Sequence, residues 1–255
     1  MTVPVQSSRR SSELDAAAAA SAAPEGAALD EIGSLARETL GERVTEELRA
    51  LLISGRLAPG EKLSLRRVAE ALGVSMMPVR EAVNRLIADK ALEVLPGRAV
   101  RVPVLTLAQF RELTRVRLVV EGFAAEEATK IATPDQIAVI ASHEDAFRQA
   151  ASADPPDLAG AVAANRNLHF ALYEAAGMPL LVETIERLWL KAGPILNLDM
   201  RAEARRLDRG SAVLMHAALV VALRERDTAA AREALAEDIQ QAADHIEGTG
   251  RLAEG

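Results

Sequence analysis

Between Leu65 and Arg85 the chain reads LRRVAEALGVSMMPVREAVNR, and two short helical patterns meet at Gly73 with almost no room for a loop between them. Leu65, Val68, Ala69 and Leu72 recur at helical spacing. Ser64 is placed to cap that helix, and Gly73 supplies the positive φ that ends it. A second helix starts at once: Ser75 is its N-cap, Pro78 falls in the first turn where a missing N–H costs little, and Glu81 puts an anion near the positive end of the dipole. Val79, Ala82, Val83, Leu86 and Ile87 share one face, which leaves Arg80, Asn84 and Arg85 pointing away. Two helices so joined form a helix-turn-helix, whose second member can enter a DNA major groove. A plain helical hairpin inside a core is the alternative reading.

The flanks favour the first reading. Gly41 to Gly55 is amphipathic, with Val44, Leu48, Leu51 and Leu52 on one face, and LAPGEKL then makes a turn into a short strand. After the helix pair, LEVLPGRAVRV has two β-rich runs joined by Pro96 and Gly97, the pattern of a hairpin serving as a wing. Over roughly Leu40 to Val102 the chain resembles the GntR family of bacterial transcription regulators, in the segments SGRLAPGEKL, VAEALGVS and PVREAVNRL. The resemblance implies a winged helix-turn-helix domain reading an operator in duplex DNA.

Charge is consistent with that surface. Residues 36–102 hold twelve Lys or Arg against nine Asp or Glu, whereas the whole chain of 255 residues has a net charge of −7. The acidic remainder repels phosphate and leaves the small domain to face it. Aromatic residues are few: Phe110, Phe123, Phe147, Phe170, Tyr173 and Trp189. That excludes stacking platforms for single strands and favours a duplex. No apolar run is long enough to span a membrane, and no secretion signal is legible at the alanine-rich start. The chain has no cysteine, which excludes disulfides and agrees with the cytoplasm. Residues 1–35, rich in Ala and Ser without periodic large apolar residues, read as a disordered tail.

Beyond Val102 the pattern becomes a series of amphipathic helices punctuated by Pro, Gly or Asp: Thr106 to Ile131, Pro134 to Ser152, Asp157 to Gly177, Met178 to Lys191, Pro194 to Arg206, Ser211 to Arg226 and Thr228 to Glu247. The expected fold class is therefore mainly α. A winged helix-turn-helix over 36–102 precedes an all-α bundle over 103–248, with a short tail at 249–255. The segments ELTRVRLVVEGFAAEEA, NRNLHFALYEAAGMPLL and HAALVVALRERDTAAAREALAEDI resemble the FCD domain of the FadR subfamily of GntR regulators. The resemblance implies that the bundle dimerises and encloses a cavity for a small effector.

Within the bundle, Asn165 and His169 lie one helical turn apart, and His216 and Asp238 belong to the last two helices, which a short link at Asp227 makes antiparallel. Two imidazoles and a carboxylate suit Zn²⁺, Ni²⁺ or Mn²⁺. Residue type alone leaves them equally readable as ordinary polar residues. The resemblance implies a metal site here, with two departures: many members have Asp at the position of Asn165 and His at that of Asp238. The same resemblance places Arg117 on the cavity wall, where a guanidinium can grip an organic acid bidentately. Taken alone, Arg117 and Glu121 are an i,i+4 pair of the surface kind.

The DNA contacts expected are Arg66, Ser75, Met76, Met77 and Arg80. Relatives commonly carry Arg where Met76 stands, and Arg is best shaped to contact guanine O6 and N7 together, so readout shifts to Ser75, Met77 and Arg80. The expectation is a homodimeric, ligand-responsive regulator of transcription, with a small carboxylate effector bound at or near a divalent metal, and no catalytic activity. Two rival readings stand beside it: a metal-dependent enzyme using the His/Asp cluster, and a constitutive DNA binder without an effector.

Overall fold

The computed structural model of the chain describes residues 39–202 and 211–253. The expected tail at 1–35 lies outside them, as do residues 203–206. Helix α1 (Leu40–Ile53) opens with a capping box in which Thr39 and Glu42 satisfy each other's backbone N–H groups. Strand β1 (Lys62–Leu63) leads into α2 (Leu65–Leu72), capped by Ser64 and closed by Gly73 at φ 65°, the left-handed conformation that glycine adopts most readily. Helix α3 (Met76–Ala88) follows directly, and β2 (Glu93–Val94) and β3 (Val100–Arg101) form the hairpin.

The three strands make one antiparallel sheet in the order β1-β3-β2, with Lys62 opposite Arg101 and Val94 opposite Val100. The sequence shows β1 as a strand but not that it pairs with the wing. Leu48 and Leu52 of α1 meet Val79, Ala82 and Leu86 of α3 in a core from which water is excluded. That packing fixes which face of α3 stays outside.

Six bundle helices are described: α4 (Leu107–Ile131), α5 (Pro134–Ser152), α6 (Leu158–Ala175), α7 (Pro179–Ala202), α8 (Ser211–Glu225) and α9 (Thr228–Gly248). The two helices expected at Met178 to Lys191 and from Pro194 are one. Pro194 sits inside α7. An interior proline costs about 3 kcal/mol, yet the turns around it, Leu190, Ala192, Ile195 and Asn197, are all buried. Continuous packing of the helix outweighs the lost hydrogen bond. Residues 249–253, expected as a tail, instead return to the start of the bundle, where Ala253 exchanges backbone hydrogen bonds with Leu105 and Leu107.

The head and the bundle are clasped along α7. A Cβ placed on Gly193 would lie 2.7 Å from both Cα and O of Ile53 at the end of α1, so the two backbones touch. One turn on, the Asn197 side-chain amide donates to the Ile53 carbonyl. Toward the start of α7, Arg187 approaches Asp89, the residue closing α3, at 3.9 Å. Arg49 of α1 bonds Asp89 at 3.1 Å and reaches Glu186 at 3.7 Å. Burial raises the pKa of Glu186, and Arg49 opposes that rise. No described helix is long and apolar enough to cross a membrane.

Candidate functional site: DNA-binding face and bundle centre

On the head, Arg80, Asn84 and Arg85 all stand exposed on α3. Arg85 is engaged by Glu81 at 2.6 Å. Ser75 occupies the N-cap with extended backbone, but its hydroxyl makes no capping bond and is free for another partner. Met77 is 75% exposed, as expected. Met76 is not: it is half-buried and packs against the head core. Met76 is therefore first a packing residue, because the first turn of α3 rotates it inward. Arg66 is exposed and paired with Glu70 at 2.9 Å, a surface bond cheap to exchange for phosphate. Arg98, at the tip of the hairpin with φ 67°, is exposed beside Gly97. Its position follows only from the turn geometry, so the sequence did not single it out.

In the bundle, three side chains from three helices converge. His169 on α6 presents Nε2 to Asp238 Oδ2 at 3.3 Å, and His216 on α8 presents Nε2 to Asp238 Oδ1 at 3.5 Å, with Asp238 supplied by α9. One ligand atom from each lies within 4.8 Å of the other two. Donors about 2.1 Å from a shared ion sit roughly 3 to 3.5 Å apart; the two His–Asp distances match that spacing, and the three groups together would have to close slightly around a divalent cation. Both ring nitrogens of His216 are buried without a hydrogen-bond partner, and its ring edge packs on Phe147 at 4.7 Å. A buried imidazole that makes no hydrogen bond costs free energy. Asp238 is held well below the usual carboxylate range; burial alone would raise it, and the neighbouring His216 and His169 more than reverse that.

Asn165 is half-buried one turn before His169 on α6. His143 and His245 are each half-buried. Neither joins the cluster.

Arg117 is not the surface ion pair that i,i+4 spacing suggests. It is buried, and its Nε and Nη2 donate to the two oxygens of Glu121 at 2.6 and 3.2 Å. Burial works against the guanidinium charge, and Glu121 more than offsets it, raising the pKa. Glu121 is the hub: Trp189 Nε1 donates to it at 3.3 Å, and the Tyr173 hydroxyl donates to the same oxygen. Tyr173 also lies 3.0 Å from Nδ1 of His169. Burial, then the Glu121 charge, push the Tyr173 pKa well above its ordinary value, so the hydroxyl keeps its proton. Arg117 stacks over the Trp189 ring at 5.2 Å. Glu121, Tyr173 and Trp189 were missed as site residues, because a Glu at helical spacing from an Arg and two aromatics on apolar faces carry no local signal.

Arg117, Glu121, Tyr173, His169, Asp238 and His216 thus form one continuous polar chain through the bundle centre. Its Trp189 branch stands on α7, one turn before the Gly193 contact with the head.

The known proteins that this chain resembles share this two-part build. The family model for bacterial regulatory proteins of the gntR family matches residues 40–102, and that for the FCD domain matches residues 112–241. The HTH-type transcriptional regulator McbR of Escherichia coli is 32% identical, over 82% of this chain and 93% of its own. The solved structure of E. coli McbR/YncC superposes with a TM-score of 0.76, at 32% identity over 82% of this chain and 98% of that one. A putative GntR transcriptional regulator from Rhodococcus sp. RHA1 gives 0.67 at 26% identity, over 82% of this chain and 98% of its own. Winged head, helical bundle and both matches agree: the chain is a transcription regulator, not an enzyme, and belongs to the GntR family of bacterial regulatory proteins, in the branch that carries an FCD domain.

Proposed function

We propose that the protein is a homodimeric, effector-responsive regulator that holds a divalent cation at His169, His216 and Asp238, with Asn165 beside them, and binds a small carboxylate there. What supports this reading is His216, an imidazole buried in the bundle with no hydrogen bond to either nitrogen and a carboxylate oxygen 3.5 Å from Nε2. A bound Zn²⁺, Ni²⁺ or Mn²⁺ supplies an electrophilic centre for an anionic oxygen.

Charge decides the effector class. Arg117 and Glu121 cancel each other, imidazoles that ligate a cation are neutral and add nothing, and Asp238 leaves one negative charge. The cluster alone repels an anion; with a dication it carries one net positive charge and attracts a monocarboxylate. Arg117 then contributes to anion binding from within its pair with Glu121.

A second copy of the chain supplies the second half-site contact that a two-fold operator needs. Val116, Val119 and Phe123, 41%, 62% and 39% exposed, form one apolar stripe along α4, and we assign it to that copy. On each head, Ser75, Met77 and Arg80 face the groove and Arg66 the phosphates. The effector acts by favouring one spacing of the two heads, and α7 is the element that touches both the polar chain and the head.

Calorimetric titration of metal-stripped protein with Zn²⁺, Ni²⁺ and Mn²⁺, followed by a panel of small carboxylates, tests this reading. Binding of a cation, with carboxylate binding that depends on it, is the expected result. Carboxylate binding unaffected by a chelator overturns the metal-assisted site.

A further inference from the structure

The direction of one hydrogen bond determines what His169 offers to its neighbours. Among the described residues, every hydrogen bond to Glu121 is donated to it: by Arg117 through two N–H groups, by Trp189 through its indole N–H, and by Tyr173 through its hydroxyl. An ionised carboxylate accepts only, and a tyrosine has one proton to give. With that proton directed to Glu121, the Tyr173 oxygen faces His169 Nδ1 at 3.0 Å with lone pairs alone. The contact is attractive only if Nδ1 carries a hydrogen. The neutral ring has one, so Nε2 is bare.

Nε2 is the atom that faces Asp238 Oδ2 at 3.3 Å. A free histidine beside an aspartate would turn its N–H toward it; here the N–H is committed on the other side. In the neutral ring two lone pairs confront each other, and a proton on Nε2 or a metal cation between them relieves the repulsion. His216 has no such partner on either nitrogen, so the constraint is specific to one of the two imidazoles.

We propose that Tyr173, oriented by Glu121 and through it by Arg117, is a positioning residue that holds His169 in the Nδ1–H tautomer and presents its Nε2 lone pair to the divalent cation. The proposal rests on the metal reading above and adds to it the side chains that prepare the site. Outer partners that fix a ligand's tautomer typically contribute 10–100-fold to metal affinity.

The chain has four histidines, so selective ¹⁵N-histidine labelling of the full-length protein gives a tractable long-range ¹H–¹⁵N correlation spectrum. In metal-stripped wild-type protein above the imidazole titration range, His169 is expected as the Nδ1–H tautomer. In Tyr173→Phe it gains the Nε2–H form, donating to Asp238, while the His216 pattern is unchanged. Zn²⁺ affinity, measured by competition with a chromophoric chelator, falls about 10–100-fold in the variant. A wild-type His169 in the Nε2–H form overturns the proposal without need of the variant, and so does a Tyr173→Phe protein that binds Zn²⁺ within twofold of wild type. A wild-type protein that shows the Nδ1–H tautomer but binds no Zn²⁺ overturns the metal reading and leaves the hydrogen-bond direction standing.

Discussion

Gly193 in the middle of α7 lies directly against the backbone of Ile53 at the end of α1, close enough that a single methyl group at position 193 would meet Ile53 Cα and O at 2.7 Å. Helix α7 carries Trp189 one turn earlier, inside the polar chain that reaches His169. The same rigid element therefore touches the bundle centre and the DNA-binding head.

Gly193→Ala separates local preference from this contact. In an isolated helix the change is favourable by about 1 kcal/mol. Here it must displace backbone, so the variant is expected to melt lower than wild type and to bind operator with altered affinity. Differential scanning calorimetry and fluorescence anisotropy check both; a higher melting temperature with unchanged operator binding would show that head and bundle are not clasped at this point.

Arg80 stands exposed on α3 in a face fixed by the buried Val79, Ala82 and Leu86. Arg80→Ala is expected to weaken specific operator binding by roughly 1 to 3 kcal/mol with the fold intact. A gel-shift titration against the operator and against unrelated DNA of equal length reads the loss and its specificity. Met76→Ala, by contrast, should lower the melting temperature more than it changes base preference, since Met76 packs on the core.

Cation binding is expected to weaken in acid, because each bound histidine must be neutral and protons compete for its lone pair. The folded pKa of Asp238 lies below its unfolded one, so its stabilising contribution is fully present above the unfolded carboxylate value and is lost only as pH falls toward the depressed folded pKa. Isothermal titrations at several pH values test the profile. Asp238→Ala should cost more cation affinity than Asn165→Ala, and more than the roughly 10–100-fold typical of an outer partner, since it removes the single charged donor of the cluster.

The head was legible in the sequence because its information is local. Ser64, Gly73, Ser75 and Pro78 announce where helices start and stop, and Pro96 and Gly97 announce the wing. The bundle was legible as helices, but Pro194 read as a break where long-range packing carries the helix through. At the bundle centre, His169, His216 and Asp238 were named by residue type and resemblance, and the fold brings them together from three helices. Glu121, Tyr173 and Trp189 could not be named, because what makes them a network is their distance in space across α4, α6 and α7. Met76 is half-buried rather than exposed for a related reason: helical phase near an N-terminus is set by how the helix docks.

The most direct test measures operator affinity of the full-length protein in three states: metal-stripped, loaded with a divalent cation, and loaded with both cation and a carboxylate that calorimetry shows to bind. Coupling between effector and DNA sites of ordinary strength, 1 to 3 kcal/mol, appears as a change of about 5- to 150-fold in operator Kd. A shift of that order, abolished by a chelator and absent in Asp238→Ala, is the expected result; an operator Kd identical in all three states would contradict an effector-responsive regulator and identify a constitutive DNA binder.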